Sequence, residues 1–169
     1  MSDKTAFPQA LAALTAQLAG KPLDAALAQW LNTAHGPTST TYQRLREACL
    51  QGVREGWLCD REGGGIRYGR VFKPEDALHR FSVDVVDMQN IAGPHHTHPQ
   101  GEIDLIVPLE GEAVFDGHPA GWCVYPPGRP HHPRWLTAER WCCICYPRGR
   151  SSSPASAGAC AASPSTFLL

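Results

Sequence analysis

The stretch GPHHTHPQGE, residues 93–102, decides how the rest of the sequence is interpreted. Histidines one residue apart on an extended chain point to the same side, so His96 and His98 can hold one ion together. The Pro-Gln-Gly segment that follows lets the chain turn, and the carboxylate of Glu102 can then complete one face of the coordination sphere. The stretch therefore predicts three metal ligands where one strand turns into the next.

A second segment, PPGRPH at residues 126–131, supplies a fourth ligand candidate. His131 follows a glycine turn and stands at the start of another predicted strand. Its neighbour His132, like His95 beside the first motif, would face the other way on a strand, so we assign both to acid-base or substrate-side roles. The alternative is that these histidines only occupy turns, but two separated clusters with matching turn residues favour a metal site.

The sequence around these motifs has the two-residue period of strands. Apolar side chains alternate at 65–71, 81–88 and 102–109, with shorter runs at 112–115, 122–125 and 141–146. Glycine and proline turns separate the runs. Many short strands of this kind predict a β-barrel or sandwich over residues 61–148.

Residues 1–60 have a helical period instead. Apolar side chains recur at spacings of three and four along two segments that Gly20 and Pro22 separate. A third helix is predicted to begin near Thr40, where Thr40 and Gln43 have capping-box spacing, and to bury a stripe that runs to Trp57. We expect this helical segment to pack on the barrel.

The C-terminal part of the chain differs in composition from the rest. Residues 149–169, rich in Ser, Ala and Pro, are predicted to be a disordered tail. The preceding stretch WCCICYPRGR, residues 141–150, is unusual for a catalytic domain. One hypothesis is an altered reading frame near Arg140, which intact-mass analysis and resequencing would test.

Charge and hydropathy exclude several classes of function. The chain has 15 Lys and Arg against 16 Asp and Glu, without a basic patch for nucleic acid. It has no apolar run long enough for a membrane span or signal peptide, so a cytoplasmic location is expected. Its seven cysteines are odd in number and irregular in spacing, which does not indicate a disulfide framework.

The two histidine segments resemble the two sequence motifs of the cupin superfamily. That resemblance implies a conical β-barrel and a centre in which His96, His98, Glu102 and His131 bind a divalent metal ion. Iron, manganese, nickel and zinc all suit such ligands. Cupins often pair through edge strands, so a homodimer is also expected.

A narrower resemblance covers the chain up to about Glu139. The stretches GIRYGRV (65–71), FSVDVVDM (81–88) and FDGHPAGWCVYPPG (115–128), with 93–108, are similar to the 4-hydroxylaminobenzoate lyase family of bacterial nitroaromatic degradation. This implies a small aromatic substrate, 4-hydroxylaminobenzoate, converted to 3,4-dihydroxybenzoate with release of ammonia.

Such a reaction needs N–O cleavage, addition of water to the ring, and hydrolysis of an imine. A metal ion would serve the first two steps, and a proton donor the third. Asp104 shares strand parity with Glu102 and is the candidate acid or base. The alternative is that Asp104 is only a charged residue at the mouth of the barrel, without a role in catalysis.

The substrate carboxylate calls for a guanidinium group. The sequence offers Arg67, Arg70, Arg80 and Arg129 near predicted strands, and we select Arg67 and Arg129. Tyr68 could line the ring pocket only if Arg67 points outward. Tyr125 is selected as a wall of the ring pocket and Trp122 is a second candidate, while core packing explains either as well.

Two other functions are compatible with the same fold and the same candidate ligands. A cupin dioxygenase or isomerase would share the ligands, and oxygen consumption with a catechol or aminophenol would indicate the dioxygenase. A non-catalytic sensor barrel would need an output partner, for which the sequence has no helix-turn-helix or basic face.

Overall fold

The structure, a computed structural model, describes residues 5–89, 96–109, 114–128, 130–131 and 140–145. The helices are α1 (Ala6–Leu18), α2 (Ala25–Ala34) and α3 (Thr40–Glu55), with a 3-10 turn at Asp76–Leu78. The strands are β1 (Arg61–Gly63), β2 (Ile66–Phe72), β3 (Val83–Gln89), β4 (His96–Thr97), β5 (Glu102–Pro108), β6 (Gly121–Tyr125), β7 (Pro130–His131) and β8 (Arg140–Cys145). The expected tail, residues 149–169, lies outside the described residues.

The third helix begins where the sequence predicts, but its cap is one residue earlier. Ser39 has an extended backbone, and its hydroxyl accepts a hydrogen bond from the Tyr42 N–H at 3.1 Å. The predicted cap, Thr40, is the first residue of the helix itself. Trp57 lies past the end of the helix, where its ring packs edge-on against Phe7 with centroids 5.9 Å apart.

The strands form two antiparallel sheets. The larger has the order β1-β2-β3-β8-β5-β6, and β4 pairs with β7 in the smaller one. This arrangement confirms the expected fold class, a mainly β structure of the double-sheet cupin type preceded by helices. The segment for which a changed reading frame was suspected, Arg140–Cys145, forms β8 between β3 and β5.

The larger sheet has two faces with different partners. The helix face packs against α1, α2 and α3 through side chains that include Val83, Val85, Ile103, Leu105 and Trp122. The other face, called the inner face below, holds a second buried cluster: Ile66, Val86, Met88, Ile106, Phe115, Cys123 and Tyr125. The alternation predicted from the sequence divides the strands between these two faces.

A β-bulge changes the alternation near the end of β2. Arg70 pairs with Asp84, whereas Phe72 pairs with the next residue, Val83, so Val71 is the extra residue. Phe72 therefore packs on the helix side against Phe7, with ring centroids 6.1 Å apart. Arg70 stays on the inner face with Tyr68 and Asp84. The bulge thus gives Arg70 and Phe72 opposite faces although they are two residues apart.

Asn32 joins α2 to the end of the sheet formed by β6. Its Nδ2 donates a hydrogen bond to the Trp122 carbonyl at 2.8 Å, and its Oδ1 accepts one from the Trp122 N–H at 2.9 Å. The side-chain amide thus pairs with Trp122 as a neighbouring strand would. Gly121 provides the space, because a Cβ there would lie 2.5 Å from Asn32 Oδ1.

We expect Asn32→Ala to lower the free energy of unfolding by about 1–3 kcal/mol, because it removes both hydrogen bonds to the backbone of Trp122. Urea denaturation would measure the change. Gln29→Ala, an exposed position on the same helix, is the control and should stay within about 0.5 kcal/mol of the parent. Equal midpoints for the two variants would contradict the role given to Asn32.

Candidate active site

Two carboxylates lie buried on the inner face at the start of β5. Glu102 is 1% exposed and Asp104 is 0% exposed. Ile103 and Leu105 alternate with them and pack in the core on the helix face. The strand parity predicted from the sequence therefore places both carboxylates on one face, as expected.

His98 lies directly against Glu102. Its Nε2 is 3.1 Å from Glu102 Oε2, and the two side chains are 15% and 2% exposed. The turn between them requires a glycine at 101, because the backbone there has φ 79° and a Cβ would lie 2.6 Å from the Tyr125 carbonyl. The Pro-Gln-Gly segment therefore acts as predicted, bringing the histidine and the carboxylate together.

The same turn is hydrogen-bonded to the second histidine segment. The His98 carbonyl accepts hydrogen bonds from the N–H groups of Gly101 and Gly128, both at 3.0 Å. In the smaller sheet, the backbone of His96 is the register partner of His131. Residues paired in this way have Cα atoms about 4.5–5.5 Å apart. The backbone therefore brings together the two segments that hold the four ligand candidates.

The side chains of His96 and His131 lie outside what the structure describes, as do His95 and His132 entirely. Among the described residues, no group of three His, Cys, Asp or Glu side chains has an arrangement suited to a metal ion. Only two of the four candidates, His98 and Glu102, have described side chains. The full metal site therefore stays a prediction.

Cys123 and Tyr125 on β6 stand next to these carboxylates. Asp104 is the register partner of Cys123, and Glu102 is that of Tyr125. Burial raises the pKa of the Cys123 thiol to about 12, so the group stays protonated at neutral pH and is a poor nucleophile.

The Tyr125 hydroxyl is fixed by a carboxylate. It donates a hydrogen bond to Asp116 Oδ2 at 2.8 Å. Burial, followed by the neighbouring Cys123, raises the pKa of the phenol above its ordinary value. Tyr125 thus presents a buried ring with a protonated hydroxyl on the inner face, and its role as a wall of the ring pocket stays a prediction. Trp122, the other candidate, packs in the core on the helix face.

Arg67, one of the two arginines selected for the substrate carboxylate, points away from this site. It pairs with Asp87, a residue 4% exposed, through an Nη1 to Oδ2 contact of 3.3 Å. Both residues alternate with inner-face neighbours, so the pair lies on the opposite face from Glu102. Tyr68 lies on the inner face, as expected if Arg67 points outward. Arg129 lies outside the described residues.

A cleft, called the β2–β3 cleft below, opens on the inner face where β2 ends. Its volume is about 580 Å3, and its lining includes Tyr68, Arg70, Phe72, Lys73, Asp84 and Val86. Arg70 donates to both carboxylate oxygens of Asp84 at 2.8 Å. The sequence interpretation did not single out Asp84. The available signal was the presence of two aspartates, Asp84 and Asp87, in the mainly apolar strand FSVDVVDM, because a buried charge needs a partner.

In the described part of the chain, no helix is long and apolar enough to cross a membrane.

Comparison with known proteins gives consistent matches. The model of the family described as "PnbB: 4-hydroxylaminobenzoate lyase" matches residues 9–152. This match extends beyond Glu139, the residue up to which the motifs resemble that family. A protein from Nocardioides sp. (strain LMS-CY) named 4-hydroxylaminobenzoate lyase is 40% identical over 102 residues, which are 57% of this chain and 60% of that protein. A protein of the same name from Pseudomonas putida is 31% identical over 154 residues, which are 81% of this chain and 88% of that protein.

Among solved structures, the chain is similar to the DMSP lyase DddQ from Ruegeria pomeroyi DSS-3. The two share 21% sequence identity, with a TM-score of 0.45 over 89% of this chain and 94% of that one. The family match over residues 9–152 and the extended similarity to the Pseudomonas putida enzyme decide the assignment. The chain belongs to the 4-hydroxylaminobenzoate lyase family, as the resemblance of its motifs predicted.

Proposed function

We propose that the protein converts 4-hydroxylaminobenzoate to 3,4-dihydroxybenzoate and ammonia, with net consumption of one water, in the degradation of a nitroaromatic compound. The observation that carries the proposal is the buried carboxylate pair, Glu102 and Asp104, on the inner face beside His98. Family membership favours this reaction over a dioxygenase, an isomerase or a sensor.

We propose further that His96, His98, Glu102 and His131 bind a divalent metal ion. Imidazole and carboxylate form a donor set that suits iron, manganese, nickel or zinc. The contact between His98 and Glu102 and the register of His96 with His131 support this set. When bound, such an ion supplies Lewis acidity for cleavage of the N–O bond.

Asp104 is proposed as the acid-base residue. In its protonated form it gives a proton to the departing hydroxyl oxygen, which leaves as water. As a carboxylate it then accepts a proton from the water that adds to the ring carbon beside nitrogen. A second water hydrolyses the resulting imine and releases ammonia. His95 and His132 stay candidates for proton transfer in that last step, and Tyr125 would contact the aromatic ring.

The test is anaerobic incubation of the purified protein with 4-hydroxylaminobenzoate, with and without prior chelation, while ammonia and 3,4-dihydroxybenzoate are followed together. We expect equal amounts of both products, lost on chelation and restored by adding back one of the four metals. Turnover that survives complete metal removal would refute the metal proposal alone. Oxygen-dependent consumption of a catechol without ammonia release would replace the lyase with a dioxygenase.

A further inference from the structure

Arg70 is held rigidly at the β2–β3 cleft. Its Nε and Nη2 donate to the two carboxylate oxygens of Asp84, each at 2.8 Å, which fixes the plane of the guanidinium group. The Asp84 side chain is 12% exposed, whereas that of Arg70 is 30% exposed and lines the cleft. The buried carboxylate thus orients a guanidinium group that remains accessible from the cleft.

The strand register places Arg70 on the same rung of the sheet as Asp104. Arg70 pairs with Asp84, Asp84 with Cys145, and Cys145 with Asp104. Three inter-strand spacings of about 4.8 Å separate the backbones of Arg70 and Asp104 by about 14 Å. Both residues lie on the inner face at the same end of the sheet. An extended arginine side chain covers part of this separation, and a para-substituted benzoate is of a length to cover the rest.

The lining of the β2–β3 cleft suits an aromatic anion. The Tyr68 ring and the Val86 side chain provide apolar surface there. Arg61, Arg70 and Lys73 carry positive charge there, against the carboxylates of Glu75 and Asp84. The positively charged side chains in the lining therefore outnumber the negatively charged ones by one. Among them, Arg70 is oriented by its hydrogen bonds to Asp84.

We propose that Arg70 binds the carboxylate of the substrate in the β2–β3 cleft, so that the hydroxylamino group at the other end of the ring reaches Asp104. This inference rests on the proposed function. Asp84 is a positioning residue, since it acts by fixing the Arg70 guanidinium. Arg70 lies on this face through its register with Asp84, ahead of the bulge at Val71.

Arg67 offers a matched control. It lies on the same strand and also pairs with a buried aspartate, Asp87, but on the helix face. Arg67→Lys and Arg70→Lys therefore each disturb an ion pair with a buried aspartate, on opposite faces of one sheet. Only the change on the inner face should affect a ligand in the cleft.

The experiment measures binding of 4-aminobenzoate, which cannot undergo N–O cleavage, and of aniline, which lacks the carboxylate, by calorimetry of the metal-loaded protein. We expect Arg70→Lys to weaken 4-aminobenzoate binding about 10- to 100-fold, through loss of bidentate charge-assisted hydrogen bonds, and to leave aniline binding unchanged. Arg67→Lys should change neither. In turnover, Arg70→Lys should raise KM for the carboxylated substrate more than it lowers kcat.

Parent-like binding of 4-aminobenzoate by folded Arg70→Lys, or an equal loss in Arg67→Lys, would overturn the proposal. If Arg70→Lys does not fold, the double variant Arg70→Gln/Asp84→Asn removes the guanidinium without leaving a buried unpaired charge. It must show the same selective loss. Binding that depends on Arg70 in a protein that releases no ammonia would support the carboxylate site and refute the reaction, so the two failures are distinguishable.

Discussion

Replacing Glu102 by glutamine is expected to abolish ammonia release together with metal binding. The side chain is 1% exposed and contacts His98 at 3.1 Å, so the amide fits the same space but no longer carries the charge that a divalent ion requires. Loss of a residue that only supports a metal ligand typically costs 10- to 100-fold in affinity. We therefore expect at least about a 100-fold loss for Glu102→Gln, measured as metal content after dialysis and as product formed.

Glu62→Gln is the control for this change, because Glu62 is an exposed carboxylate on β1. It should keep the metal content and turnover of the parent protein. A Glu102→Gln protein that retains both would show that the contact with His98 is structural, and the proposed ligand set would be wrong.

Replacing Asp104 by asparagine is expected to lower kcat about 10²- to 10⁴-fold, the usual contribution of a general acid or base. Metal content should not change, because Asp104 is not one of the four proposed ligands. Separate measurement of kcat and metal content distinguishes this residue from Glu102.

Asp87→Asn is the matched control, since Asp87 is a buried carboxylate on the helix face of the same sheet, 4% exposed. It should lower stability through its contact with Arg67 while kcat stays within a few-fold of the parent at temperatures where both proteins are folded. If Asp104→Asn retained kcat to the same degree, Asp104 would have no role in proton transfer.

The sequence predicted the parts of the site that depend on local rules. Residue spacing and a glycine turn were enough to predict that Glu102 lies close to His98, because both effects act within five residues of the chain. Strand parity was enough to place Asp104 on the same face as Glu102. The helices were also predictable, with Ser39 replacing Thr40 as the cap because the residue just before the helix has the extended backbone that capping needs.

The parts that depend on pairing between distant strands were not predictable. The ion pair between Arg70 and Asp84 depends on the pairing of β2 with β3, and so does the bulge at Val71 that follows it. The hydrogen bonds from Asn32 to Trp122 join residues 90 positions apart in the chain. Neither feature leaves a periodic signal in the sequence, and the choice between Arg67 and Arg70 therefore needed the three-dimensional fold.

The position of β8 has a consequence for how the chain folds during synthesis. The last of the described strands inserts between β3 and β5 at the centre of the larger sheet, so β1-β2-β3 and β5-β6 cannot join until residues 140–145 have left the ribosome. Until then two central strand edges stay unpaired, and such edges attract other chains. Completion of the sheet is therefore a late, long-range step of the slow kind. A nascent chain that stops before Arg140 would be a candidate for aggregation or chaperone binding, and not a slightly shortened enzyme.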